Sequence, residues 1–183
     1  MPLKLSCHPD FPTDAVTTIN ASFDSLPSGK FMLRYNLLGA VDQLELPEPS
    51  PPERTDNLWH TTCFEAFIAV PDAAGYLELN LSPSTQWAAY AFEDYRKGMR
   101  NSELVSEPWI ETSTTAGDFE LVATLEHRGP PIVEAVSLEI AMAAVVEEKN
   151  GRKSYWALNH PLGNPDFHDR DCFTHKLATA ESQ

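Results

Sequence analysis

Hydrophobic and polar residues alternate with a period of two along many short segments of this chain, which is typical of β-strands with one buried face. The alternation is clearest in two pairs of segments, and each pair is joined by a short turn, so each predicts a hairpin. The paired segments are Ala15–Phe23 with Lys30–Leu38 around Leu26–Gly29, and Trp109–Thr115 with Asp118–His127. Only Arg96–Leu104 and Pro165–Asp171 suit short helices. The pattern therefore predicts an all-β protein, an antiparallel β-sandwich.

The dipeptide Asn150-Gly151 is the preferred pair for a two-residue hairpin turn, and it predicts the register of the strands on either side. Counting outward from that turn, Val145 opposes Trp156 and Ala141 opposes His160. This register predicts that Trp156 and His160 face outward, whereas Asn159 faces the core.

A second group of strands predicts an unusual outer face. One alternating set is typical of a core: Phe64, Ala66, Ile68, Leu77, Leu79, Leu81, Ala88, Tyr90 and Phe92. The opposite set must then face outward: Trp59, Cys63, Glu65, Phe67, Tyr76, Glu78, Asn80, Trp87, Ala89, Ala91, Glu93 and Tyr95. Aromatic rings, small residues and hydrogen-bonding groups on one face are typical of a ligand site, and aromatic rings stack well on sugars.

The alternative is a purely structural role, in which a loop such as Pro161–Arg170 covers this face and turns it into a second small core. The two interpretations are compatible. A loop over half of the sheet would form one wall of a pocket over the other half.

Composition narrows the class of protein. The 183 residues, 42% of them hydrophobic, predict that residues 1–183 form a single domain. A formal charge of −14 argues against nucleic acid and anionic membrane surfaces as partners. Cys7, Cys63 and Cys172 suit neither a zinc motif nor a disulfide framework, so we expect free thiols. The chain has no signal-peptide pattern or membrane-spanning run, which predicts a cytoplasmic protein.

Several motifs together resemble a known family. They are LWHTTCFEAF from Leu58, YLELNLSPS from Tyr76, WAAY from Trp87 and SYWALNHP from Ser154. These segments resemble bacterial DOMON-like proteins related to family 9 carbohydrate-binding modules, and the resemblance covers most of residues 54–177. It implies a jelly-roll β-sandwich that binds sugars or haem without chemistry. It also implies an aromatic clamp, for which Trp59 with Glu65 and Trp156 with Asn159 are the nearest matches.

Three other kinds of site stay open. Haem needs axial ligands, for which His60, His160, His168, Met32 and Met99 are candidates. Asp166 and His168 are weak candidates for a divalent metal site. A hydrolase could use the region of His160 and His168.

The sequence favours a non-catalytic module that binds a small, carbohydrate-type ligand and needs no cofactor. The candidate ligand-binding residues are Trp59, Glu65, Asn80, Trp87, Tyr95, Arg96, Trp156, Asn159 and His160.

Overall fold

The computed structural model describes residues 2–27, 29–128, 135 and 137–178. The described residues form twelve strands: β1 (Leu3–Cys7), β2 (Val16–Leu26), β3 (Lys30–Gly39), β4 (Cys63–Ala69), β5 (Tyr76–Leu81), β6 (Trp87–Phe92), β7 (Arg100–Asn101), β8 (Trp109–Thr114), β9 (Asp118–Glu126), β10 (Ser137–Glu147), β11 (Lys153–Ala157) and β12 (His175–Ala178). Short 3₁₀ helices cover Val41–Gln43, Leu58–His60 and Arg170–Cys172.

Both hairpins predicted from the alternation are confirmed. Strands β2 and β3 pair antiparallel, and so do β8 and β9. The alternate residues of β3 and β9 are buried, because they face the core: Phe31, Leu33, Tyr35, Leu37, Phe119, Leu121, Ala123 and Leu125. Within the predicted turn Leu26–Gly29, Ser28 lies outside the described residues.

The strands form one continuous curled sheet that folds into two layers. The strand order is β7-β6-β5-β4-β10-β11-β1-β2-β3-β9-β8, and every paired strand is antiparallel. Strand β1 joins the layers, because Leu3–Leu5 pair with β2 while Ser6 and Cys7 pair with β11. Strand β12 pairs with the first residues of β10, and β11 pairs with its last ones.

The main core lies between the two layers. The Phe64 ring of β4 lies 5.0 Å from Tyr35 of β3 and stacks on Phe119 of β9 at 5.6 Å. The Tyr35 hydroxyl also donates a 2.6 Å hydrogen bond to the backbone carbonyl of Glu65. Apolar packing thus holds the layers together, and the buried hydrogen bond of Tyr35 adds to it.

These features confirm the predicted antiparallel β-sandwich. No α-helix occurs in the described part of the chain, and β7 occupies part of the segment proposed as a helix, Arg96–Leu104. The second helix candidate, Pro165–Asp171, contributes only the start of a 3₁₀ turn. Cys7, Cys63 and Cys172 are free thiols, as expected. Among the described residues, no helix is long and apolar enough to cross a membrane.

The register predicted for the hairpin of β10 and β11 is wrong by one residue. Trp156 pairs with Ala144 and Tyr155 pairs with Val145. The turn contains three residues rather than two, because the Glu148 amide donates to the Arg152 carbonyl and Gly151 adopts a φ of 85°. A left-handed glycine after a tight turn is typical of three-residue hairpin loops. Trp156 therefore faces the main core and Tyr155 faces outward.

The predicted faces of β6 are also inverted. Leu79 pairs with Ala89 and Leu81 pairs with Trp87, so the alternate residues of β6 that include Trp87 join the main core. The Arg54 guanidinium covers the Trp87 ring at 4.4 Å and donates to the carbonyls of Ala89 and Ser102. Ala88, Tyr90 and Phe92 face outward instead.

Candidate functional site

A cavity of about 390 Å³ opens on the outer face of the layer that contains β4, β5, β6, β10 and β11. This volume is within the usual range of small-molecule sites. The cavity is lined by residues from strands, from the 3₁₀ turn before β4, from the loop after β6 and from the segment before β12: Trp59, Glu65, Glu78, Tyr90, Phe92, Arg96, Met99, Val145, Tyr155, Pro165, Phe167 and His168.

Two carboxyl groups form the polar floor of the cavity. Glu65 of β4 and Glu78 of β5 are only 4% and 6% exposed, and both strands lie inside the sheet rather than at its edge. Asn80 pairs with Glu65 across the strands, and its Nδ2 donates a 2.7 Å hydrogen bond to Glu78 Oε1. Glu65 Oε1 is buried without a hydrogen-bond partner among the described residues. The floor therefore offers an unused acceptor to a ligand.

The environment favours the neutral forms of both floor carboxyls. Burial, and then the nearby charge of Glu78, raise the pKa of Glu65 well above its ordinary value. Burial also raises the pKa of Glu78, although the hydrogen bond from Asn80 and the charge of Arg96 oppose that rise. A bound group that donates hydrogen bonds or carries positive charge would favour ionisation of the pair.

Aromatic side chains form much of the cavity wall. Tyr90 and Phe92 alternate on β6, and the Tyr90 hydroxyl is held by a 2.5 Å hydrogen bond to Asp56 Oδ1. Tyr155 of β11 packs against the edge of Phe11 with ring centres 4.9 Å apart. Phe167 adds a ring from the segment before β12. These contacts keep the rings in place before any ligand binds.

Trp59 lies at the mouth of the cavity. It belongs to the 3₁₀ turn Leu58–His60, whose preceding residue Asn57 adopts a left-handed φ of 63°. That reversal directs the chain into β4, and asparagine tolerates it better than most residues do. Trp59 is 49% exposed, so its ring is available to a ligand.

A hydrogen-bonded group links the loop after β6 to the segment before β12. Arg96 Nη2 lies 2.7 Å from Asp166 Oδ1, and the Tyr95 hydroxyl donates to the other carboxylate oxygen. Burial alone would raise the pKa of Asp166, but these two hydrogen bonds hold it below its ordinary value. Arg96 has a left-handed φ of 52°, a conformation that costs about 1 kcal/mol or more outside glycine. The ion pair helps to offset this cost.

His168 is a neutral, hydrogen-bonded part of the wall. The Tyr76 hydroxyl accepts from the Arg96 amide at 3.1 Å, so its own proton points toward His168 Nδ1 at 2.8 Å. Burial, and then the charge of Arg96, lower the pKa of His168 to about 4. At neutral pH the 3.7 Å approach of its Nε2 to Glu78 Oε2 is therefore not an ion pair.

The segment before β12 covers half of the outer face. Phe167, Cys172 and Phe173 pack with Phe67, Ala141 and other outer-face residues in a second apolar cluster. Pro165, Phe167 and His168 also form one wall of the cavity. One half of the outer face is therefore a small core, and the other half is a pocket.

Some of the sequence-predicted residues meet at this cavity. Trp59, Glu65 and Arg96 line it, Asn80 supports its floor, and Tyr95 lies beside it on Asp166. Asp166 and His168, the weak metal candidates, are instead engaged with Arg96 and with Tyr76.

Four predicted residues lie elsewhere. Trp87 and Trp156 are buried in the main core, and the Trp156 indole donates to Ser154 Oγ. Asn159 was expected to face the core, but it is exposed and its Nδ2 donates to the Asp171 carbonyl. His160 contacts the Ser6 carbonyl through Nε2 and the His8 ring at 4.9 Å. The second half of the predicted clamp is therefore wrong.

Several lining residues are not among the candidates that the sequence provides for any kind of site: Glu78, Tyr90, Phe92, Val145, Tyr155, Pro165 and Phe167. Glu78 was placed correctly on the outer face, and its proximity to Glu65 in adjacent strands was the available signal. Tyr90, Phe92 and Tyr155 were missed because the faces of β6 and β11 were assigned the wrong way round.

The donor groups of the described residues do not suit a metal centre. No group of three or more His, Cys, Asp or Glu side chains within 2–27, 29–128, 135 and 137–178 is arranged to hold a metal ion. His168 and Met99, two of the haem-ligand candidates, do line the cavity. His168 Nδ1 is already bonded to Tyr76, however, and its Nε2 points toward Glu78.

Comparison with known proteins gives structural likeness only. No family model matches the sequence, and no curated protein matches it significantly. Among solved structures, the chain is similar to a protein from Bacteroides uniformis assigned provisionally as carbohydrate-binding, with a TM-score of 0.65 and 13% identity over 98% of this chain and 85% of that one. It is also similar to a family 9 carbohydrate-binding module from Caldicellulosiruptor kristjanssonii in complex with glucose, with a TM-score of 0.50 and 10% identity over 98% and 86% of the two chains. The chain shares the fold of these proteins.

Proposed function

We propose that the protein is a non-catalytic module that binds a small carbohydrate-type ligand in the cavity above Glu65 and Glu78. The observation that carries the proposal is the cavity itself, with aromatic walls and an unused carboxyl oxygen at its floor. Aromatic rings match the apolar faces of sugar rings, and buried carboxyls accept hydrogen bonds from hydroxyl groups. The likeness to sugar-binding proteins of the same fold supports this class of ligand.

The polar and apolar parts of the site have separate roles in this proposal. Trp59 and Tyr155 stack on the ligand from different sides of the cavity, and Tyr155 takes the role first predicted for Trp156. Glu65 and Glu78 orient the ligand by accepting its hydrogen bonds, while Asn80 holds Glu78 in position. The bond of Arg96 to Asp166 keeps the wall formed by Pro165, Phe167 and His168 closed against the floor.

We also propose that the protein is a DOMON-like domain that acts in the cytoplasm without haem or metal. The free cysteines suit a reducing compartment. A Soret band in the purified protein, or a stoichiometric metal by elemental analysis, would overturn the cofactor-free part of this proposal.

Tryptophan fluorescence tests the sugar site directly. Trp87 and Trp156 are buried in the core, whereas Trp59 and Trp109 are exposed by 49% and 71% and lie in different layers. Titration with a panel of mono- and disaccharides is expected to change the emission of the wild type and of Trp109→Phe. Trp59→Phe is expected to lose that change.

Calorimetry with the same sugars measures binding directly, whether or not the tryptophan emission changes. Absence of heat and of any emission change with every sugar would contradict the proposal. A sugar-dependent change that persists in Trp59→Phe and disappears in Trp109→Phe would contradict the assigned site.

A further inference from the structure

The carboxyl groups in and beside the cavity outnumber the positively charged side chains that could balance them. Glu65, Glu78 and Asp166 are three carboxyl groups, against which the cavity sets one guanidinium, Arg96. Arg96 is already bound to Asp166 at 2.7 Å. The two floor carboxyls therefore lack a cation of their own among the described residues that line the cavity.

The groups that face Glu65 and Glu78 from the packed elements do not supply that cation. His168 comes closest, with its Nε2 3.7 Å from Glu78 Oε2, but its pKa of about 4 keeps it neutral. The remaining facing groups are neutral or hydrogen-bonded elsewhere: Cys63 on β4, Asn80 on β5, Tyr90 on β6, Val145 on β10, Tyr155 on β11, and Tyr35 on β3 below the sheet.

A neutral hydroxyl compensates such a site only in part. It donates one hydrogen bond and brings no charge, so a buried carboxylate would still carry a large desolvation cost. An ammonium group donates up to three hydrogen bonds and neutralises one carboxylate. Glu65 Oε1 is buried and has no hydrogen-bond partner among the described residues, and Glu65 lines the cavity, so this oxygen is the acceptor that an ammonium group would satisfy.

The walls suit a cation as well as a sugar ring. Five aromatic side chains line the cavity: Trp59, Tyr90, Phe92, Tyr155 and Phe167. Aromatic rings around buried carboxyls attract cations through the negative charge density of their faces, and the interaction strengthens where water is excluded. The formal charge of −14 on the chain also favours cationic ligands over anionic ones.

From this arrangement we infer that the cavity selects an amine-bearing sugar, with the ammonium group held between Glu65 and Glu78 and the sugar ring against the aromatic wall. The inference rests on the proposed sugar-binding function and specifies its ligand class. Burial raises the pKa of both floor carboxyls in the empty protein, so binding of the ammonium group would be accompanied by release of a proton.

Matched ligands at about pH 6, where an amine carries its proton, test the inference by calorimetry. The ligands are glucosamine and galactosamine, their N-acetylated forms, and glucose and galactose. One amino sugar is expected to bind at least about tenfold more tightly than both its N-acetylated form and its parent hexose, since hydrogen bonds to a charged group are the stronger kind.

Paired variants test whether the floor is responsible. In the double variant Glu65→Gln with Glu78→Gln, both ligands are expected to bind more weakly, and the preference for the amine over its parent hexose is expected to fall below about threefold. Glutamine at position 78 keeps the acceptor used by Asn80. The control Glu111→Gln removes one charge from β8, in the other layer, and is expected to retain the full preference. Circular dichroism and thermal unfolding verify that each variant is folded.

The outcomes separate this inference from the proposed function. Glucose or galactose binding as tightly as its amino form would overturn the inference and leave the sugar-binding function in place. N-acetylated forms that bind as tightly as the amines would overturn it too, as would an amine preference that survives the double variant. Absence of binding by every sugar in a full panel would overturn the proposed function and the inference together.

Discussion

The two faces of the layer that carries the cavity are both buried, but different side chains occupy them. Every residue of β4, β5 and β6 is buried, so burial does not distinguish one face from the other. The inner face carries mainly apolar side chains, with Phe64, Ala66 and Ile68 packed against the opposite layer, and its polar side-chain atoms include the indole nitrogens of Trp87 and Trp156. The outer face has Glu65, Glu78 and Asn80 among its rings. Buried carboxyl and amide groups, rather than exposure, distinguish the cavity face of these fully buried strands.

The largest expected effect is on the inner face. Phe64→Ala would remove a fully buried ring that contacts both Tyr35 and Phe119, so we expect a loss of about 3–5 kcal/mol in the free energy of unfolding. Urea denaturation measures it. On the outer face, Tyr155→Ala opens onto an existing cavity and should cost less than half as much. Equal losses of unfolding free energy in Phe64→Ala and Tyr155→Ala would contradict the proposed difference in packing between the two faces.

The second prediction concerns the buried acid at the cavity floor. Since the pKa of Glu65 is raised in the folded protein, ionisation favours the unfolded state as the pH rises above the ordinary value of 4.5. Glu65→Gln is therefore expected to be more stable than the wild type by about 1–3 kcal/mol at about pH 8. The gain should shrink toward about pH 4, where the wild-type carboxyl is neutral in both states.

Thermal and denaturant unfolding at several pH values provide this comparison. Glu111→Gln, with the same change in charge on an exposed strand, should show no such gain. A wild type that is more stable than Glu65→Gln at about pH 8 would mean that the carboxylate is compensated within the protein.

His168 should respond to acid in the opposite direction. Its pKa is lowered from 6.5 to about 4 in the folded protein, so protonation favours the unfolded state as the pH falls through that interval. We expect the wild type to lose about 1–2 kcal/mol relative to His168→Gln between about pH 6.5 and pH 4. Imidazole titration by NMR provides an independent measurement, and an ordinary pKa for this ring would refute the expectation.

The smallest effect on stability is expected at the mouth of the cavity. Trp59→Ala should change the free energy of unfolding by less than about 0.5 kcal/mol, because the ring is half exposed. It should weaken ligand binding by about 1 kcal/mol, roughly fivefold, through loss of the stacking surface. Calorimetry with the best ligand of the sugar panel measures this. Full affinity in Trp59→Ala would place the ligand deeper in the cavity.

The sequence predicts the fold well where each strand has one polar face. Strands β2, β3, β8 and β9 alternate clearly, so their pairing and buried residues follow from the pattern. Strand β6 reads WAAYAF and has no polar residue, so alternation cannot say which face is inner. The inner face of β6 is identified only from its pairing with β5, in which Ala89 lies opposite the core residue Leu79.

The site was harder to predict because a single residue of register reverses a face. Asn150-Gly151 suits a two-residue turn, but Gly151 in the left-handed conformation belongs to a three-residue turn that begins at Lys149. Because of that difference Tyr155, and not the predicted Trp156, lines the cavity. The outward position of Glu65 follows from the sequence, because this polar residue fixes which alternate residues of β4 face outward. The contributions of Arg96 and Phe167 depend on loops, for which no periodic signal exists.

Strand β1 has a consequence for how this protein is made. Its Ser6 pairs with Ala157 and its Cys7 with Trp156, so the join between the layers links residues about 150 positions apart. During synthesis the amino-terminal hairpin β2–β3 can form early, but the junction cannot close until β11 has emerged from the ribosome. Because β10 and β11 also border the cavity, the pocket is completed only when most of the chain has been translated. Until that moment the strand edges that flank it are open to chaperones and to other nascent chains.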